Sequence, residues 1–279
     1  MSKAKLLPKW TNIEKILSAF RPAKFLIRKI HAQRKKYYMR KSIHKDLECP
    51  SDLRNFERKV YSQYGEDGII EEIFRRIGEG SRFAVEFGIE TGRECNTRLL
   101  IESKSWSAVL IDGSVQHAVA ARSLFTGRPV IVLDRFLTTD NILDIFAEAK
   151  VSYEFDLLSV DVDGNDFSLL EKILTRYRPR AIVTEYNGRW LPPVEWIMPY
   201  DAQHSWDGTV YFGASLQSFT NLAERNNYKL VACSSTGLNA FFVLAELIGD
   251  QFTTANRGAD YHYAAPIYNA AGFGHPVLL

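Results

Sequence analysis

Cysteine is scarce in this chain: there are three in 279 residues, Cys49, Cys95 and Cys233, far apart and outside any C-x-x-C or Cys/His ligand spacing. That argues against a disulfide framework and a cysteine-based zinc site, and it makes a reducing, cytoplasmic setting the expectation. Long apolar runs are missing as well. No stretch reaches the roughly 18 continuous apolar residues of a membrane span, and the N-terminus lacks the apolar core of a secretory signal, so the chain is not expected to cross a membrane. Internal repeats and low-complexity tracts are also absent. What remains, at 46% hydrophobic residues, is enough for one sizeable core.

The formal charge of +2 conceals an asymmetry. Fourteen of the 35 Lys and Arg fall in residues 1–45, against one of the 33 acids, Glu14. The arm is therefore strongly basic and the remainder is net acidic. Such a split fits an arm that meets an anionic surface and argues against a body that itself binds nucleic acid.

Within the arm, Ile13, Ile16, Leu17 and Phe20 recur at i, i+3, i+4 and i+7 among Lys9, Lys15 and Arg21, which is the pattern of an amphipathic helix. Pro22 interrupts it, and Phe25, Leu26, Ile27 and Ile30 follow, leading to the Arg34–Tyr38 cluster. One reading is peripheral attachment to an anionic membrane face, where each nearby Lys or Arg contributes about 1 kcal/mol. The other is a solvated helix packed on its own domain. The expected organisation is an arm at 1–50, one domain at 51–249, and a C-terminal extension at 250–279 that is either a lid or an oligomer contact.

From about residue 60, short apolar runs alternate with helical stretches, the signature of a mostly parallel sheet covered on both faces. The expected strands are 83–87, 108–111, 129–133, 157–162 and 181–185. A helix at 214–225 follows, then strands at 229–233 and 240–244 joined by a turn at Thr236-Gly237-Leu238-Asn239, short enough to require antiparallel pairing. The fold class is thus α/β, a doubly wound, Rossmann-like seven-stranded sheet with an antiparallel closing hairpin.

Ligands in such sheets bind beyond the carboxyl ends of the strands. The first strand ends in Glu86-Phe87-Gly88-Ile89-Glu90-Thr91-Gly92, an E-x-G-x-x-x-G turn whose Gly88 and Gly92 let backbone approach a ligand while Glu86 can accept from an ammonium. It is neither a dinucleotide fingerprint nor a P-loop. The second strand ends in Asp112-Gly113-Ser114, with a carboxylate placed to hold both hydroxyls of a ribose, and the third ends at Asp134, placed for an adenine amino group. Each acid has a second reading as a helix cap or loop residue.

The fourth and fifth strand ends read Asp161-Val162-Asp163-Gly164-Asn165-Asp166 and Glu185-Tyr186-Asn187. Adjacent strands bring Asp161, Asp163, Glu185 and Asn187 to one rim, an oxygen-rich set suited to magnesium or another hard divalent cation. A cation there lowers the pKa of a substrate hydroxyl. Without one, Asp163 or Asp166 serves as general base. Asp166 also reads as the cap of a helix at 167–174.

These blocks resemble the FkbM-like branch of the class I S-adenosylmethionine-dependent methyltransferases. Tyr61-Ser62-Gln63-Tyr64-Gly65-Glu66-Asp67-Gly68 resembles its opening motif, Glu86-Phe87-Gly88 with Asn96-Thr97 its cofactor loop, and Ser105 through Ser114 its second-strand block. Thr139-Asp140-Asn141-Ile142, Asp161 through Asp166, Glu185-Tyr186-Asn187 and Tyr211 through Leu216 extend the resemblance over most of residues 61–245. It implies S-adenosyl-L-methionine as cofactor and O-methylation of a sugar or surface-glycan hydroxyl, as in polysaccharide biosynthesis. Val162-Asp163-Gly164 departs from the Glu-Gly pair of many members and shortens that carboxylate.

Between the fifth strand and the hairpin lie Trp190, Pro192, Pro193, Trp196, Tyr200, His204, Trp206 and Asp207, aromatic faces with polar groups that suit a sugar ring. His204 is a further candidate base, or simply a packed residue. Two other readings stay open: an RNA-binding or RNA-modifying protein using the basic arm, and a non-catalytic cofactor-binding partner in a glycan synthesis complex. Against the first, no N-P-P-Y-like amine-methylation motif follows the fourth strand.

Overall fold

The computed structural model describes residues 51–266. The basic arm and its membrane reading, and residues 267–279 of the C-terminal extension, lie outside the described residues.

Seven strands form one sheet: β1 (Phe83–Phe87), β2 (Ser107–Asp112), β3 (Val130–Asp134), β4 (Glu154–Val160), β5 (Arg178–Glu185), β6 (Tyr228–Cys233) and β7 (Asn239–Leu244). Their order is β3-β2-β1-β4-β5-β7-β6. The first five run parallel, and β7 enters antiparallel between β5 and β6. The helices are α1 (Glu66–Ile77), α2 (Arg98–Lys104), α3 (Val115–Leu124), α4 (Ile142–Glu148), α5 (Asp166–Leu174), α6 (Leu216–Arg225) and α7 (Ala259–His262). None of the described helices is long and apolar enough to cross a membrane.

The period-two alternation of each strand divides the core into two layers. Val85, Phe87, Leu158 and Val160 face the layer built with Phe146, Leu170 and Phe219 from α4, α5 and α6. Ala84, Leu110, Leu157 and Val183 face the other, with Ile70 and Phe74 of α1 and Trp106. Trp106 is fully buried and meets the Phe74 ring edge-on at 4.8 Å, a contact that anchors the α1 side. Glu86 and Ser159, in phase with Ala84 and Leu157, point into that same layer.

Three expectations are corrected. The fourth strand ends at Val160, not at 162, because the turn that follows Gly88 packs against the Asp161 carbonyl and stops the pairing at Phe87 and Val160. The third strand is an edge and is not covered on both faces; Ile131 on it is 50% exposed. Helix α6 begins at Leu216 because Ser215 caps it, accepting the Ser218 N–H at 3.1 Å, while Ala214 pairs with Ile197 in an isolated bridge.

Residues 250–266 run from Arg76 at the end of α1, which Gln251 meets, to the carboxyl rim of the sheet, with Phe252, Ala255, Ala259 and Tyr263 buried against the body. Tyr186 donates its hydroxyl to the Ala264 carbonyl at 3.0 Å, and Tyr263 donates to the Gly188 carbonyl at 2.6 Å.

Candidate active site

The strand order reverses between β1 and β4, and the loops leaving β1, β2, β4 and β5 gather at that switch point. Gly88 leaves β1 with φ +73°, and a Cβ there would lie 1.5 Å from the Asp161 carbonyl oxygen. Its N–H donates to Ile111 at 3.0 Å, so the turn is seated between the ends of β2 and β4. Gly92 turns with φ +77° against the ring of Phe125.

Glu86, expected to face an ammonium, is occupied by the protein's own donors. It accepts the N–H of Asn96 at 2.8 Å and of Thr97 at 2.9 Å, the Thr97 hydroxyl, and the Ser159 hydroxyl at 3.3 Å. Burial raises its pKa, and these donors oppose the rise. The residue clamps the loop ahead of α2, with the turn from Gly88 to Gly92 lying between the two.

Asp112 accepts the Glu90 N–H at 2.7 Å on one oxygen and the Ser114 N–H at 2.8 Å on the other, where His117 Nδ1 also lies at 3.2 Å. The carboxylate therefore ties the β1 turn to the start of α3, and Ser114 caps that helix by accepting the His117 N–H at 3.3 Å. Gly113 lies beneath Phe136, whose ring would stand 3.2 Å from a Cβ there and is 50% exposed. In the sequence, Phe136 is marked only as an apolar residue just past the carboxyl end of β3. Asp134, expected to face an amino group, is ion-paired with Arg122 at 2.6 Å, which holds its carboxyl below the usual range.

Asp161, Asp163 and Glu185 converge, with one carboxylate oxygen from each lying within 4.8 Å of the others. Glu185 is buried, and among the described residues its Oε2 has no hydrogen-bond partner. Burial first, then the neighbouring carboxylates, raises Asp161 and Glu185 well above the usual carboxylate range. Asp163 holds its place in the left-handed region, φ 56°, a strained conformation for a non-glycine residue. Asp166 does not cap its helix from outside. It is the first residue of α5, and its carboxylate accepts the N–H groups of Val162 at 2.7 Å and Gly164 at 2.8 Å, closing the loop that presents the other acids. Burial pushes it up to about 6.

Asn187, expected as an oxygen ligand, is spent on backbone instead. Its Nδ2 donates to the carbonyls of Val210 at 2.9 Å and Phe212 at 3.0 Å, and its Oδ1 accepts the Arg189 N–H at 3.2 Å. His204 does reach the cluster: Nε2 lies 3.2 Å from the Asp163 carbonyl, and the ring packs where a Cβ on Gly164 would be. The opening motif, which carried no assigned role, also comes to this rim. Glu66 accepts from Asn239 Nδ2 at 3.0 Å, and Asn239 is paired with Glu185 across β5 and β7. Burial, followed by the charges of Glu66, Glu94 and Glu185, raises the Tyr64 phenol.

No family model and no curated protein matches the sequence. Among solved structures, the chain is similar to an O-methyltransferase from Bacillus cereus in complex with SAH, at 18% identity over 75% of this chain and 97% of that one, TM-score 0.42. It is similar to an S-adenosylmethionine-dependent methyltransferase from Clostridium acetobutylicum, at 13% identity over 64% and 90%, TM-score 0.41. The N-terminal domain of EvdMO1 with SAH bound matches at 13% identity over 66% and 80%, TM-score 0.40. These likenesses are too distant to carry an argument about activity, which rests on the site.

Proposed function

We propose that the chain is an S-adenosylmethionine-dependent O-methyltransferase whose acceptor is a hydroxyl of a sugar or surface-glycan intermediate. The observation that carries this reading is the joined rim at the switch point. The turn from Gly88 to Gly92 is bonded through the Glu90 N–H to Asp112, and the carboxylates of Asp161 and Asp163, after the adjacent β4, and of Glu185, at the end of β5, converge beside it. The motif blocks that resemble the FkbM-like branch fall at this same rim, which supports the finer assignment.

S-Adenosylmethionine supplies a methyl group on a sulfonium, an electrophile that an oxygen nucleophile takes in one displacement. The chain's part is to hold and orient. Asp112 offers its remaining lone pairs to the ribose hydroxyls, and Phe136 with Gly113 offers an apolar slot for the base. Glu185 Oε2, which meets no hydrogen-bond partner among the described residues, and the mutual repulsion of three converging carboxylates fit a hard divalent cation such as magnesium, held by Asp161, Asp163 and Glu185. Such a cation supplies Lewis acidity that lowers the pKa of the acceptor hydroxyl. His204 and Asp166 hold the loop that carries Asp163. The strongly basic residues 1–45 support a place for this chemistry at an anionic membrane face.

Calorimetric titration of the full chain with S-adenosylmethionine, with and without magnesium, tests the reading. Saturable binding near one equivalent supports it, and magnesium-dependent turnover lost in Asp161→Asn supports the cation. Absence of binding in both conditions removes the methyltransferase assignment.

A further inference from the structure

The stretch from Trp190 to Gly213 contains an aromatic assembly that the site described above does not use. Trp190 and Trp196 stack with ring centroids 5.1 Å apart and planes at 21°, and Tyr211 meets Trp196 edge-on at 5.4 Å and 73°. Tyr211 is 54% exposed, an unusual position for a large ring already engaged in an aromatic cluster.

The backbone around Tyr211 is strapped to the residues that present the acids. The carbonyls on either side of it, Val210 and Phe212, both accept from Asn187, two residues beyond Glu185. Gly213 donates to the Gly164 carbonyl at 3.1 Å, next to Asp163. Trp196 is fixed in the same way, its carbonyl accepting the Ser215 N–H at 2.8 Å and its N–H donating to Ser215 Oγ at 3.1 Å. A scattered surface tyrosine needs no such support. Here an exposed ring stands on backbone tied to the loops that carry the carboxylates, and Trp196 holds its edge, so little ordering cost remains when something stacks on it.

We propose that Tyr211, backed by the Trp190–Trp196 pair, is the platform that seats the pyranose ring of the acceptor with a hydroxyl turned toward Asp161, Asp163 and Glu185. This rests on the methyltransferase reading above. The chemistry is specific to that occupant: one face of a pyranose presents several C–H groups, which pack on the electron-rich face of an aromatic ring, while its hydroxyls stay free for polar partners.

The test is saturation-transfer NMR on the full chain with methyl pyranosides of the gluco, galacto, manno and 6-deoxy series. S-Adenosylmethionine affinity is measured by calorimetry on the same samples. Transfer to the ring C–H protons of one face is expected in at least one series. Tyr211→Ala weakens that binding roughly tenfold, Tyr211→Phe keeps it, and both variants bind S-adenosylmethionine as the parent does. Equal pyranoside binding in Tyr211→Ala, or no transfer from any series, overturns the proposal. If S-adenosylmethionine fails to bind the parent chain, the methyltransferase reading fails, and the NMR result still decides whether the platform takes a sugar.

Discussion

Gly88 and Asp161 meet through their backbones so closely that a single methyl group on Gly88 would lie 1.5 Å from the Asp161 carbonyl oxygen. This contact joins the proposed cofactor turn to the loop of the acid cluster. Gly88→Ala adds a positive-φ penalty to a steric one and is expected to cost about 2–4 kcal/mol. Urea unfolding midpoints measure it, and an unchanged midpoint would show that the two loops are free to part.

Asp112→Ala removes the acceptor for the Glu90 and Ser114 N–H groups along with the proposed ribose contact. S-Adenosylmethionine affinity is expected to fall about 10- to 100-fold, equivalent to one or two lost charge-assisted hydrogen bonds. Calorimetry at matched folded fraction reads this directly, and full affinity in the variant would remove Asp112 from the cofactor site.

The acid cluster makes stability depend on pH with a definite sign. The carboxyl of Asp166 is raised to about 6, and burial with the neighbouring carboxylates raises those of Asp161 and Glu185 well above the usual carboxylate range. A carboxyl raised on folding contributes stability that is fully present below its unfolded pKa, about 4, and is lost as pH rises through the folded value. Denaturation at pH 5.5 and pH 7.5 is therefore expected to show the chain more stable at the lower pH by on the order of 1–3 kcal/mol. Glu185→Gln should flatten the slope, and so should saturating magnesium if the cluster holds it. A slope of the opposite sign contradicts the arrangement.

His204 separates two roles. As a positioning residue it acts through the Asp163 carbonyl, 3.2 Å from Nε2, and Gln can replace that contact. His204→Gln is then expected to keep turnover within about fivefold of the parent and the same pH profile, whereas loss of a general base costs about 100-fold or more. Turnover as a function of pH for parent, His204→Gln and His204→Ala decides between them.

The strand centres and the antiparallel hairpin were legible because apolar period and turn chemistry are local properties. The end of β4 was not. Ser159 through Asp163 continues the alternation past the point where the Gly88 turn ends the pairing, and that turn lies more than seventy residues earlier in the chain. The exposure of β3 depends on strand order, which no single segment encodes. At the site, the convergence of Asp161, Asp163 and Glu185 followed from adjacent strand ends. Asn187 did not follow, because an amide that ligates and an amide that straps a loop have the same letter and spacing. Phe136 is hidden for the converse reason, and so is the role of Tyr211 within its motif block: their interest lies in being exposed where large rings are usually buried.

Tyr186 and Tyr263 exchange hydroxyl contacts, each reaching a carbonyl beside the other, so the chain's late residues complete the rim that carries Glu185. A product cut off before Ala259 would leave the Tyr186 hydroxyl without its acceptor and the Gly188 carbonyl without its donor, both just past the fifth strand. In vectorial synthesis the segment just past Glu185 therefore waits for residues 263 and 264, more than seventy positions later, before its hydrogen bonds close.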